Sequence, residues 1–152
     1  MDWDLVTAVT LAGAALTDRA LQRVRAAGHP YLRTSHGYLV QHVVDGPRSI
    51  GEIAVRMGVT QQAASKAVGE LVDLGYLSRE PDPSDARTRR IALSTRGRDA
   101  VETTRRVRAE LEAELGETLG ADRVRALRST ANQALEWVGA DAARERRVRP
   151  PQ

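Results

Sequence analysis

The chain has no cysteine among its 152 residues. Disulfides, thiolate zinc sites and thiol-based oxidant sensing are therefore excluded. Phenylalanine is also missing, and aromatic residues make up 3% of the chain. A core must then rest on Leu, Val and Ala, which favours packed helices over a sheet sandwich. No apolar run approaches the ~20 residues needed to span a bilayer. The stretch Leu5 to Leu16 is broken by Thr7 and Thr10 and ended by Asp18-Arg19. The start, Met1-Asp2-Trp3-Asp4, is acidic where an export signal would be basic, so a cytoplasmic location and no membrane contact are expected. There is no Gly-rich phosphate loop, no Gly-x-Ser-x-Gly and no His-Glu-x-x-His, which argues against an enzyme. His29, His36 and His42 lie seven and six residues apart, so no two sit on adjacent turns of one helix face. Neither a metal site nor a cofactor is expected.

Lysine is scarce, and its placement is informative. Lys66 is the only lysine among 23 basic residues. Around it, Ser49-Ile50-Gly51-Glu52 reads as a capping box, in which serine and glutamate each satisfy a backbone N–H of the other's turn. That helix is predicted to end at Gly58. A second opens at Thr60, a good N-cap, and stops at Gly75. Only Gly58 and Val59 separate them, the spacing of a helix-turn-helix whose second helix lies in the DNA major groove. Ile53, Ala54 and Met57 stripe the first helix, and Ala64, Val68, Leu71 and Val72 share a face of the second. The opposite face of the second helix carries Gln61, Gln62, Ser65 and Lys66 with no acid between them. Glutamine pairs with adenine, lysine donates to guanine or phosphate, and serine adapts. Glu70 and Asp73 fall at the far end.

A hairpin is predicted next. Tyr76-Leu77-Ser78-Arg79 has strand character, Pro81 to Asp85 is rich in turn formers, and Arg87 to Leu93 leads back. Arg87, Arg89 and Arg90 crowd its return, with Asp85 placed to hold one of them. Such arginines suit the electronegative minor groove. The net charge of +3 lies wholly between Arg48 and Arg98, where nine basic residues meet six acidic ones. A surplus confined to this unit fits phosphate contact at a defined footprint.

These residues resemble the MarR family of winged helix-turn-helix regulators. The resemblance is carried by Gly51-Glu52-Ile53-Ala54, by Gly58 through Lys66, and by Leu74-Gly75-Tyr76-Leu77-Ser78-Arg79. The more specific part is Asp82-Pro83-Ser84-Asp85-Ala86-Arg87 followed by Leu93-Ser94 and Gly97. Two departures stand out. Ala86 replaces a usual wing arginine, and Ser94 replaces a usual threonine but can still cap a helix. The expected fold is mainly α with a small β-hairpin wing. In it a winged helix-turn-helix over residues 31–98 is flanked by long dimerisation helices at 1–30 and 99–140, with a disordered tail at 141–152. DNA contacts are expected from Thr60, Gln61, Gln62, Ser65, Lys66, Asp85, Arg87, Arg89 and Arg90.

The flanks read as helices at Asp4 to Ala27, Tyr31 to Val44, Ser94 to Leu115 and Asp122 to Val138. Long helices outside so small a reading unit are best explained by pairing with a second copy. A two-fold dimer would set two recognition helices roughly 34 Å apart, matching a pseudo-palindromic operator in double-stranded DNA. The resemblance implies the same, with a small aromatic effector bound between dimer helices and reading unit, as in a ligand-responsive repressor. His36, Tyr38 and His42 are the polar or aromatic residues offered to such a ligand, with Trp3 and Trp137 more remote. Tyr38 and Trp137 read equally well as core residues. The rival reading is a winged-helix module that docks a protein and lacks sequence-specific DNA binding. The wing arginines and the acid-free helix face favour DNA.

Overall fold

A computed structural model describes residues 2–85 and 87–139. The tail expected at 141–152 and Ala86 lie outside the described residues. Within them the order is α1 (Leu5–Ala26), α2 (Thr34–Val40), α3 (Ile50–Met57), α4 (Gln61–Asp73), β1 (Leu77–Pro81), β2 (Arg89–Leu93), α5 (Thr95–Leu119) and α6 (Ala121–Trp137). The expected mainly helical fold with a hairpin wing is the observed one.

The caps act where the sequence places them. Ser49 Oγ accepts from the Glu52 N–H at 3.2 Å, and Glu52 Oε2 accepts from the Ser49 N–H at 2.8 Å. Gly58 closes α3 at φ 63° and ψ 36°, a left-handed conformation that costs glycine little. Thr60 Oγ1 accepts from the Ala63 N–H at 3.1 Å and starts α4. Ile53, Ala54 and Met57 of α3 then meet Ala64, Val68 and Leu71 of α4 in the core.

Three elements differ from expectation, and α5 is the simplest, running on to Leu119 instead of ending at Leu115. The second helix is shorter than Tyr31 to Val44. Residues 31–33 are not helical, and α2 begins only where the Arg33 N–H donates to His36 Nδ1 at 3.2 Å. Beyond Val40 the bonds tighten to three-residue steps, as in His42 to Leu39 and Val43 to Val40, and the helix gives way to turns before Gly46. In the wing, β1 extends to Pro81 and β2 begins at Arg89, because Pro81 pairs with Arg89 at the strand end. The Asp82 N–H then donates to the Thr88 carbonyl at 3.0 Å and closes the loop.

A third segment joins the wing. The Arg48 N–H donates to the Ile91 carbonyl at 3.0 Å, and the Ile91 N–H to the Arg48 carbonyl at 2.7 Å. The residue before the α3 cap is thereby strand-paired to β2. Leu39, Ile53, Val68, Leu71, Tyr76 and Ile91 are among the largest fully buried side chains of the core. Each such apolar side chain contributes about 1.5–3 kcal/mol relative to exposure.

The remaining helices build a second region. α1 and α6 both pack along α5. Arg23 of α1 makes a two-pronged ion pair with Glu114 of α5 at 2.5 and 2.7 Å. Of the apolar stripe Leu5, Val9, Ala12, Leu16 and Ala20 only Ala20 is buried, with Val24 one turn further on. Of the stripe Val124, Leu127, Ala131, Ala134 and Val138 only Val124 is buried. Leu5 is 77% exposed and Trp137 87% exposed, and Val9, Leu16, Leu127 and Val138 are also exposed.

The two regions share one core and come closest at the start of α5. Ser94 Oγ accepts from the Gly97 N–H at 2.9 Å and donates to the Gly75 carbonyl at 2.6 Å. This draws the first turn of α5 onto the backbone before β1. A Cβ on Gly97 would lie 2.1 Å from the Tyr76 carbonyl oxygen. Gly97→Ala should therefore cost about 1–3 kcal/mol, a fall of about 2–4 °C in Tm for each kcal/mol. Scanning calorimetry giving an unchanged Tm would show that the close approach is not needed.

Candidate DNA-reading surface and ligand cleft

The polar face of α4 begins at its N-terminus, where unpaired backbone N–H groups favour anions. Thr60, Gln61, Gln62 and Lys66 are exposed and Ser65 is half-buried. The structure brings these five residues onto the first two turns. The amide of Gln61 rests over α3, with Nε2 3.0 Å from where a Cβ on Gly51 would stand. Lys66 makes no ion pair among the described residues.

The wing residues divide by what they touch. Arg87 and Arg89 are exposed and have no ion-pair partner among the described residues. Asp85 was expected to hold an arginine side chain. Instead Oδ1 accepts from the Arg87 backbone N–H at 2.9 Å, and Oδ2 accepts from Thr88 Oγ1 at 3.1 Å. Asp85 thus shapes the loop backbone rather than a guanidinium, as short acids in turns commonly do. Arg90 is half-buried. Its Nε lies 3.0 Å from Asp82 Oδ2, and its Nη2 lies 3.5 Å from Glu52 Oε2. Glu52 is held below the usual carboxylate range by the Ser49 backbone and side-chain bonds, then by the charge of Arg90. Asp82 is lowered chiefly by its bonds from Ser84.

The far end of α4 is tied to α2. Glu70 pairs with the Arg33 guanidinium, and His36 Nε2 lies 3.6 Å from the same carboxylate. Reading the acids at positions 70 and 73 as simply remote from DNA missed this link, because the partner is 37 residues away in sequence. Beside it opens an apolar cleft of about 700 Å³ between α1, α2, α5 and α6. Leu16, Val24, Val40 and Val101 give it an aliphatic wall, and His36, Tyr76, Arg105 and Arg108 add polar groups. Of the three expected ligand residues, His36 lines the cleft. Tyr38 is half-buried and His42 is buried, and neither is on its wall. Trp3 and Trp137 do not line it either. Tyr76 was missed as a wall residue, since its strand position signals only core. Among the described residues no group of carboxylates and histidines could hold a metal ion, and no helix is long and apolar enough to cross a membrane.

Two helices joined by a tight turn, with a hairpin strand-paired to their entry, define a winged helix-turn-helix protein. A model of the MarR family matches residues 32–88. An uncharacterised HTH-type transcriptional regulator of Mycobacterium leprae is 32% identical over 94 residues, or 62% of this chain and 66% of that relative. An HTH-type transcriptional regulator of Mycobacterium tuberculosis matches equally well. The chain spans just under two thirds of these relatives' length. Among solved structures, RV1404 from Mycobacterium tuberculosis has a TM-score of 0.72 at 20% identity, covering 91% of this chain and 97% of that one. Wild-type MarR from E. coli has a TM-score of 0.62 at 20% identity, covering 89% and 99%. A variant of S. aureus MepR bound to an oligodeoxyribonucleotide has a TM-score of 0.65 at 16% identity, covering 90% and 99%. Over residues 32–88 the chain matches the MarR family, and over 94 residues it is similar to HTH-type transcriptional regulators.

His36 gives the site a pH dependence. Burial, then the charges of Arg33 and Arg25, push its imidazole down to about 4. The unfolded chain takes up this proton near the ordinary value of 6.5, and the folded chain does so only near 4. Unfolding therefore binds a proton between those values, and the stability due to neutral His36 is present above pH 6.5 and lost as pH falls towards 4. His36→Gln should flatten the decline in urea midpoint across that window relative to the unaltered protein. Parallel curves for the two proteins would remove His36 as its source.

Proposed function

We propose that this protein is a sequence-specific transcriptional regulator that binds an inverted-repeat operator in double-stranded DNA as a homodimer. The observation that carries the reading is the acid-free polar start of α4, held beside a wing whose Arg87 and Arg89 are unpaired among the described residues. Gln62 and Lys66 are assigned to base edges, with Thr60, Gln61 and Ser65 adapting around them. Arg87 and Arg89 are assigned to the minor groove and its phosphates. Asp85 acts by shaping the loop that presents Arg87. The site of action is the cytoplasm.

The homodimer reading is supported by the unburied apolar faces of α1 and α6. Exposed large apolar side chains recur along both helices, and self-pairing of the two termini would cover them. Residues 1–30 and 99–140 are thus assigned to dimerisation and residues 31–98 to DNA reading. A repressor released by a small aromatic effector is the regulatory form we favour. The cleft beside α2 has the size of small-molecule sites, and its His36 wall touches Glu70 of the recognition helix.

Selection from random duplexes should yield inverted repeats with half-site centres about 10 bp apart. Gln62→Ala and Lys66→Ala should each weaken binding to the selected site by about 1–3 kcal/mol. Unchanged affinity in both variants would rule out α4 as the base-reading element. Sedimentation at micromolar concentration should give a dimer, and a monomer there would end the paired-helix argument.

A further inference from the structure

We propose that Arg90 is a positioning residue that locks the wing onto the first turn of α3, and not a DNA contact. The inference rests on the DNA-binding reading above and refines it.

The geometry begins in the backbone. Arg48 and Ile91 exchange two hydrogen bonds, so the next residue on one side, Ser49, caps α3, and the previous residue on the other is Arg90. This sets the Arg90 side chain against the Glu52 carboxylate at 3.5 Å and the Asp82 carboxylate at 3.0 Å. Each carboxylate already has a local task. Glu52 Oε2 accepts from the Ser49 N–H at 2.8 Å and completes the α3 cap. Asp82 Oδ1 accepts from the Ser84 N–H at 2.9 Å and from Ser84 Oγ at 2.7 Å and orders the wing turn. Arg90 joins the two caps. One anchors the helix that the tight turn ties to α4, and the other shapes the loop that carries Arg87.

The charge balance points the same way. Two carboxylates on one guanidinium leave the trio with a net negative charge, which does not attract a phosphate. To reach DNA, Arg90 would have to abandon both partners. Arg87 and Arg89 need give up none among the described residues.

Three near-isosteric variants test the clamp. Arg90→Gln removes the cation. Glu52→Gln keeps an acceptor for the capping box, where glutamine also serves, but loses the charge. Asp82→Asn keeps an oxygen for Ser84. The first readout is amide hydrogen exchange of the DNA-free protein. Exchange over 82–88 should quicken by about two- to fivefold in each variant, the range of an exposed ion pair. Amides of α1 should stay as they are. The second readout is affinity for the selected operator at several salt concentrations. Affinity should fall by a similar factor while the salt slope stays that of the unaltered protein. This applies to Glu52→Gln and Asp82→Asn as well, although each removes a negative charge near DNA.

The clamp is refuted if Arg90→Gln lowers the salt slope by about one unit with wing exchange unchanged, the mark of a lost phosphate contact. It is equally refuted if Glu52→Gln and Asp82→Asn bind DNA more tightly. If the unaltered protein retains no selected DNA, the DNA-binding reading fails, and the exchange rates alone still decide whether Arg90 clamps the wing.

Discussion

Two hydrogen bonds between Arg48 and Ile91 hold the reading unit together. They strand-pair the entry of α3 to the returning strand of the wing. They add a backbone link between the α3 entry and the hairpin to the apolar core that α3, α4 and both strands share. Ile91 itself is fully buried and shares one core cluster with Ile53 and Leu71. Backbone pairing and apolar burial therefore reinforce one geometry, which is the consistency expected of a uniquely specified fold.

Helix α4 is held at both ends by different chemistry. At its start, Thr60 and the short turn fix where α4 begins relative to α3. At its far end, Glu70 is tied to Arg33 and approaches His36. The second attachment runs through α2, which also forms part of the cleft wall. A change in how α2 sits would be felt at α4 through this carboxylate as well as through the core that Leu39 shares with Val68 and Leu71. The physical basis is simple. A charged side chain on a rigid helix transmits displacement only where its partner is itself fixed, and His36 is buried at the α2 N-terminus.

The same arrangement explains why the wing arginines are not equivalent. Arg87, Arg89 and Arg90 occupy four consecutive positions with Thr88. Arg87 stands in the loop and Arg89 at the edge of the pairing, and both reach solvent. Arg90 lies next to the Arg48 bridge, and its side chain folds back onto Glu52 and Asp82. Charge alone does not sort them. Their distance from a backbone junction does.

Much of this was legible in the chain itself. The capping box at Ser49, the left-handed Gly58, the Thr60 cap and the apolar stripes of α3 and α4 are local, each set by residues within one or two turns, so a linear reading recovers them. The wing was legible for the same reason, because prolines and short polar residues force a turn between two strand-like runs. What the tertiary structure alone decided depends on residues far apart in sequence. The shortened α2 is an exception, since its cap joins Arg33 to His36 three residues on. The occupation of Arg90 follows from Arg48 meeting Ile91, the Glu70 tether from Arg33, and the need for glycine at position 97 from the Tyr76 carbonyl 21 residues earlier. Which stripe residues of α1 and α6 find partners within the chain was likewise beyond periodicity, which marks an apolar face but not what covers it. Local propensity acts over a turn of helix, whereas a side chain's partner is chosen by where the folded backbone brings distant segments into contact.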